Sequence, residues 1–119
     1  MPDSPQDVHK KVLGRKGERA VEQYLKKAGM QIVCRNFRTP FGEADLIAQD
    51  NDETVFVEVK TRSSNRYGSG AEAVTAQKRQ RYYKIAQYYG LQSGEEPNAR
   101  FDVAEVNEAC EINYFKNAF

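Results

Sequence analysis

The stretch "GEADLIAQDNDETVFVEVK", residues 42 to 60, limits the fold more than any other part of the chain. Two strand-like runs, "EADLIAQ" and "TVFVEVKTR", flank "DNDE", whose Asp and Asn residues favour turns, so the stretch predicts a β-hairpin. Side chains in a strand alternate faces. Val55, Val57 and Val59 therefore point one way and Phe56, Glu58 and Lys60 the other. Asp45 falls near the open end of the hairpin, about level with Glu58 to Lys60 on its partner. Glu43, two residues from Asp45, shares its face by alternation and reads as a rim residue.

The wet face of an antiparallel sheet ordinarily carries Glu and Lys. Here, however, Leu46, Ile47 and Phe56 leave neither strand a cleanly polar face, and partly buried carboxylates are costly unless paired or bound to a cation. Two hard oxygen ligands converging with a peptide carbonyl suit Mg²⁺, which is held by one or two carboxylates, water and substrate phosphate. A lysine beside such an ion can position an attacking water. On spacing alone, a solvated sheet face and a cation site account for the pattern equally well.

The remaining elements follow from periodicity. After a polar leader, "KKVLGRKGERAVEQYLKKAG" sets Leu13, Gly17, Ala20, Val21, Tyr24, Leu25 and Ala28 on one helical stripe, with Gly29 placed to end the helix. Gly17 on that stripe permits close approach to another backbone. "QIVCRNFR" reads as a strand before the "TPFG" turn, which makes three consecutive strands an antiparallel meander. "SSNRYGSG" is a loop. A second helix is expected from about Ala73 to Tyr89, with Lys78, Tyr82, Ile85, Ala86 and Tyr89 on its apolar stripe and Gly90 as its stop. "ARFDVAEV" and "CEINYF" complete the order αβββαββ, an α/β domain with two helices on a mixed sheet. At 119 residues this is one domain, with residues 1–9 expected as a flexible leader and 116–119 as a flexible tail.

No apolar run approaches the ~20 residues that span a bilayer, and the first residues lack an apolar signal core, so a cytoplasmic location is expected. Cys34 and Cys110 have no metal-ligand spacing, and the single histidine, His9, lies in the leader. The net charge of +1 conceals a segmented distribution. Residues 61–90 hold six Lys/Arg against one acidic residue, whereas 39–59 hold six acidic residues and no basic ones. Basic blocks are commonly solvated helix faces, but gathered on one surface they attract nucleic acid.

Asp45 and Glu58-Val59-Lys60 in consecutive strands resemble the metal site of the PD-(D/E)XK nuclease superfamily. More closely, "GRKGERAVEQYLKKAG", "NFRTPFGEADLIA", "VFVEVKTR", "AVTAQKRQR" and "RFDVAEV" are similar to the small YraN-like bacterial family, itself similar to archaeal-type Holliday junction resolvases. The resemblance runs from about Gly14 to Val106. It implies a restriction-endonuclease-like fold and Mg²⁺- or Mn²⁺-dependent hydrolysis of DNA phosphodiesters. It also implies Asp45, Glu58 and the Val59 carbonyl as metal ligands, Lys60 near the nucleophilic water, and Glu18 as a third acidic group. Ala44 stands where the superfamily motif has proline, and Arg81 where some relatives with a QxxxY motif carry tyrosine.

Under this reading Arg62, Arg66, Lys78, Arg79 and Arg81 hold phosphates, and Tyr67 stacks on an unpaired base. Lys78 differs from the others in lying on the apolar stripe. A homodimer follows by analogy with junction resolvases. Asp102 is expected to make a structural hydrogen bond or salt bridge. Two rival readings are a non-catalytic nucleic-acid-binding module of the same fold and a structural or protein-interaction domain.

Overall fold

The structure, a computed structural model, describes residues 5–62 and 75–119, with side chains from Gly14 onward. Helix α1 (Pro5–Lys27) leads into strands β1 (Gln31–Thr39), β2 (Gly42–Asp50) and β3 (Glu53–Thr61). Helix α2 (Ala76–Ser93) follows, then β4 (Ala99–Val106) and β5 (Ile112–Phe115), which gives the expected order αβββαββ. The five strands lie in sequence order in one sheet. Successive pairs are antiparallel except β3 and β4, which run parallel because α2 carries the chain back between them.

Each face of the sheet is covered by one helix. Val21 and Leu25 of α1 pack on Leu46, Ala48, Val55, Val57, Ala104 and Val106. Tyr82, Ile85 and Ala86 of α2 pack on Ala44, Ile47, Phe56 and Phe101. The valines of β3 and its Phe56 thus face opposite layers, as alternation requires. At ~1.5–3 kcal/mol for each large apolar side chain removed from water, these two layers supply most of the driving force for folding.

Two expectations are corrected. Helix α1 begins at Pro5, so residues 5–9, expected as a leader, are its first turns. Gly90 does not end α2, which continues to Ser93 and is capped by Gly94 in a left-handed conformation. Gly90 serves instead for close packing, because a Cβ there would lie 2.9 Å from Pro97 Cδ and 3.0 Å from the Glu95 carbonyl oxygen. At residues 118 and 119 the Ala118 N–H donates to the Phe101 carbonyl, and Phe119 packs edge-on to Tyr82 and stacks on Phe101. The apolar C-terminal side chain covers the aromatic cluster that a polar tail would leave wet.

Gly17 is where α1 meets the sheet. A Cβ there would fall 2.5 Å from Thr61 Cγ2, so only glycine lets the helix come this close to the end of β3. The contact holds the next residue, Glu18, over the same end of the sheet as Glu58 and Lys60.

Candidate active site

The backbone opens the site. Pairing between β2 and β3 runs from Asp50 with Glu53 back to Leu46 with Val57 and goes no further, so the strands part at Asp45. In the neighbouring ladder, Arg35 pairs with Leu46 and Phe37 with Ala44, which leaves Asn36 opposite Asp45. Asn36 has φ 51°, in the left-handed region. Both strands change faces at this point. Leu46 packs under α1 but Ala44 under α2, and Arg35 reaches Glu22 of α1 while Phe37 meets Tyr89 of α2.

The break frees the Asp45 side chain to reach along the sheet. Its Oδ2 accepts a hydrogen bond from the Val59 N–H at 2.8 Å, taking the place of a strand carbonyl. Burial pushes the Asp45 carboxyl up to about 6, with Glu18, Glu58 and Glu43 adding repulsion and the Val59 N–H opposing the rise. Glu18 is likewise held above the ordinary carboxylate range, by burial and by Glu43. Asp45 thus lies within electrostatic reach of carboxylates from α1, β2 and β3.

Glu58 lies on the α2 side. Its Oε1 pairs with Lys78 Nζ at 2.7 Å, while its Oε2 is buried without a hydrogen-bond partner. Lys60 is held below the usual lysine range by burial first and then by the nearby Lys78. The apolar stripe of α2 thus carries Lys78 into the cluster, beside Glu58 and Lys60.

The other expected residues are distributed unevenly. The Arg62 N–H bonds the Val106 carbonyl, and its guanidinium lies 3.9 Å from the buried Glu105. Arg79 and Arg81 are exposed on α2, the latter with its side chain against Gly42. Arg66 and Tyr67 lie outside the described residues. Glu43 is exposed and sits 3.7 Å from Arg38. Among the described residues, no group of three or more Asp, Glu, His or Cys side chains is gathered tightly enough to hold a metal ion.

Two features escaped sequence reasoning. Glu105, in register with Lys60, is fully buried, and neither of its carboxylate oxygens has a hydrogen bond. Its place in "RFDVAEV" gave alternation as the only signal. A cleft of about 320 Å³ beside Glu18 is lined by Arg15, Arg19, Glu22, Arg35 and Leu46. Within it, Arg35 clasps Glu22 through two nitrogens, one at 3.0 Å, and holds that carboxyl below its ordinary range.

Known proteins share this architecture. Hjc, a Holliday junction resolvase of the archaeal hyperthermophile Archaeoglobus fulgidus, aligns with a TM-score of 0.55 over 85% of this chain and 73% of its own, at 22% identity. The likeness establishes that the chain shares the fold of that resolvase, the restriction-endonuclease-like fold expected from the sequence. In sequence, a UPF0102 protein of Caldicellulosiruptor saccharolyticus is 43% identical over 119 residues, covering 94% of this chain and 100% of the relative. Another, from Alkaliphilus metalliredigens, is 46% identical over 112 residues, covering 92% and 98%. A third, from Symbiobacterium thermophilum, is 50% identical over 95 residues, covering 79% and 80%. The model of that family matches residues 17–106, from the glycine that seats α1 to the end of β4, and the chain belongs to the uncharacterised protein family UPF0102.

Proposed function

We propose that the chain is a divalent-metal-dependent endonuclease that hydrolyses DNA phosphodiester bonds. The observation that carries this reading is the pair of carboxylates where β2 and β3 part. Asp45 is aimed by the Val59 N–H, and Glu58 presents a buried, unpartnered oxygen. A buried carboxylate oxygen with no proton donor is a costly arrangement that a cation relieves. The donors are hard oxygens, which fits Mg²⁺ or Mn²⁺. Asp45 and Glu58 would hold the ion with the Val59 carbonyl, and a site with so few protein ligands suits a metal that keeps several waters.

A bound divalent cation supplies Lewis acidity toward a phosphoryl oxygen and a more acidic water. The chain's own residues do the rest. The Val59 N–H fixes the Asp45 carboxylate and Lys78 fixes that of Glu58. Lys60, whose burial and cationic neighbour weaken its hold on a proton, orients the attacking water and can exchange a proton with it. Glu18 borders the site from α1 as a further acidic group. Arg62, Arg79 and Arg81 position the backbone of the substrate.

The Lys78 pair with Glu58 favours one rival, a module that binds DNA without cutting it, since it already balances one of the two carboxylates. Incubation with Mg²⁺ or Mn²⁺ on duplex, single-stranded and four-way-junction DNA separates the two. Cleavage is expected, and Asp45→Asn should lower it by at least about a hundredfold, as losing a group that organises transition-state charge does. Equal cutting by Asp45→Asn would refute the site. Salt-sensitive binding without products at any metal concentration would favour the module, and no affinity at low salt a protein-interaction domain.

A further inference from the structure

We infer that the tip of the β1–β2 hairpin is an aromatic wedge that stacks on an unpaired base of the DNA, with Phe41 as the wedge. This rests on the proposed nuclease function and names the feature of the substrate that the chain would select.

The tip is built to hold an exposed ring. Phe41 remains 46% exposed, although aromatic side chains are usually buried, and lone exposure of this kind would mean little in a mobile loop. This turn is tied down. Thr39 Oγ1 accepts from the Phe41 N–H at 3.0 Å and donates to the Gly42 carbonyl at 2.8 Å, closing the turn on both sides of the ring. Gly42 has φ 139°, and a Cβ there would meet Arg81 Cδ at 2.8 Å, so glycine lets the arginine stem lie against the tip. Lys84 Nζ stands over the Phe41 ring, 5.6 Å from its centre. A half-open ring on a hydrogen-bonded turn, with Lys84 and Arg81 against the tip and Arg38 just before it, combines what unpaired nucleotides require. The exposed part of the ring, away from Lys84, is the surface for the base, and the cations answer the phosphates on either side.

The position relative to the carboxylates supports the same occupant. Glu43, two residues beyond Phe41, is felt electrostatically by Asp45 and Glu18. Along α2, Lys78 holds Glu58, Arg81 lies against Gly42, and Lys84 covers Phe41. The six steps from Lys78 to Lys84 rise ~9 Å along α2. A strand whose phosphate lies at the carboxylates would bring a nearby unpaired base onto the ring.

The test uses the full chain and forked DNA carrying 2-aminopurine at successive unpaired positions, with Ca²⁺ in place of Mg²⁺ to oppose turnover. Stacking should quench the fluorescence at one or two adjacent positions. Phe41→Ala should abolish that quench and weaken binding of the fork roughly tenfold or more, a larger loss than on a fully paired duplex. Phe41→Trp should restore both, while a circular dichroism melt checks that each variant is folded. Equal fork binding and quenching by folded Phe41→Ala and parent would overturn the wedge and leave the nuclease reading standing. Failure of the parent to bind any DNA at low salt would overturn both.

Discussion

The β2–β3 hairpin carries buried charge at both ends, and the two ends treat it in opposite ways. At the turn, the guanidinium of Arg100 bonds Asp102 through Nε and Nη2, and Asp50 and Glu53 through Nη1. Asp102 also accepts from the Tyr114 hydroxyl and from the Asn117 N–H, which ties the end of the chain to the sheet. At the open end, Glu18 and Glu58 both repel Asp45, and one Glu58 oxygen has no partner. Satisfied buried charge specifies a structure, whereas a buried carboxylate oxygen left without a donor carries a standing desolvation cost.

The largest effect should come from breaking the satisfied end. Arg100→Met leaves Asp102 buried without its counter-charge and should cost about 3–5 kcal/mol in urea denaturation. A loss under 1 kcal/mol would mean that Tyr114 and Asn117 suffice to hold Asp102.

The open end should respond with the opposite sign. The folded chain holds the Asp45 proton more tightly than the unfolded chain, because its carboxyl is pushed up to about 6 from 3.8. The penalty for charging it is therefore absent below about pH 4, grows between pH 4 and 6, and is complete above that window. Asp45→Asn, which keeps an acceptor for the Val59 N–H, should stabilise the metal-free chain by about 1–3 kcal/mol at pH 7.5. The gain should vanish near pH 4. Melting curves in chelator across this range measure it, and a variant less stable than the parent at neutral pH would place Asp45 with the structural charges.

Glu105 decides a smaller question. It lies at the open end but faces Arg62 at 3.9 Å, beyond hydrogen-bond range. Glu105→Gln should raise stability by about 1 kcal/mol if the carboxylate is uncompensated. Destabilisation would show that Arg62 already balances it, which would make the pair a weaker version of the Arg100 network.

The sequence disclosed the elements of this site better than their arrangement. Alternation placed Val55, Val57 and Val59 opposite Glu58 and Lys60, and the apolar stripe of α2 singled out Lys78 from its exposed neighbours. Asp102 appeared as structural because a lone carboxylate among apolar strand residues must be paired. What stayed hidden was the change of face at Asn36 and Asp45. Alternation is a rule for unbroken strands, and an asparagine inside "CRNFR" is too weak a signal to interrupt it. The reach of Arg35 to Glu22 was hidden for the same reason, since it joins residues thirteen apart through the packing of α1 on a bent strand.

That bend also divides what evolution can alter from what it cannot. From Leu46 to Gln49, β2 is paired on both sides, and adding a single residue there would turn every later side chain to the wrong layer. Below Asp45 the sheet pairs residues 37–39 with 42–44 alone. A pair of residues inserted at the tip would lengthen the hairpin without moving the core or the carboxylates. The tip can therefore change length while the carboxylates keep their places.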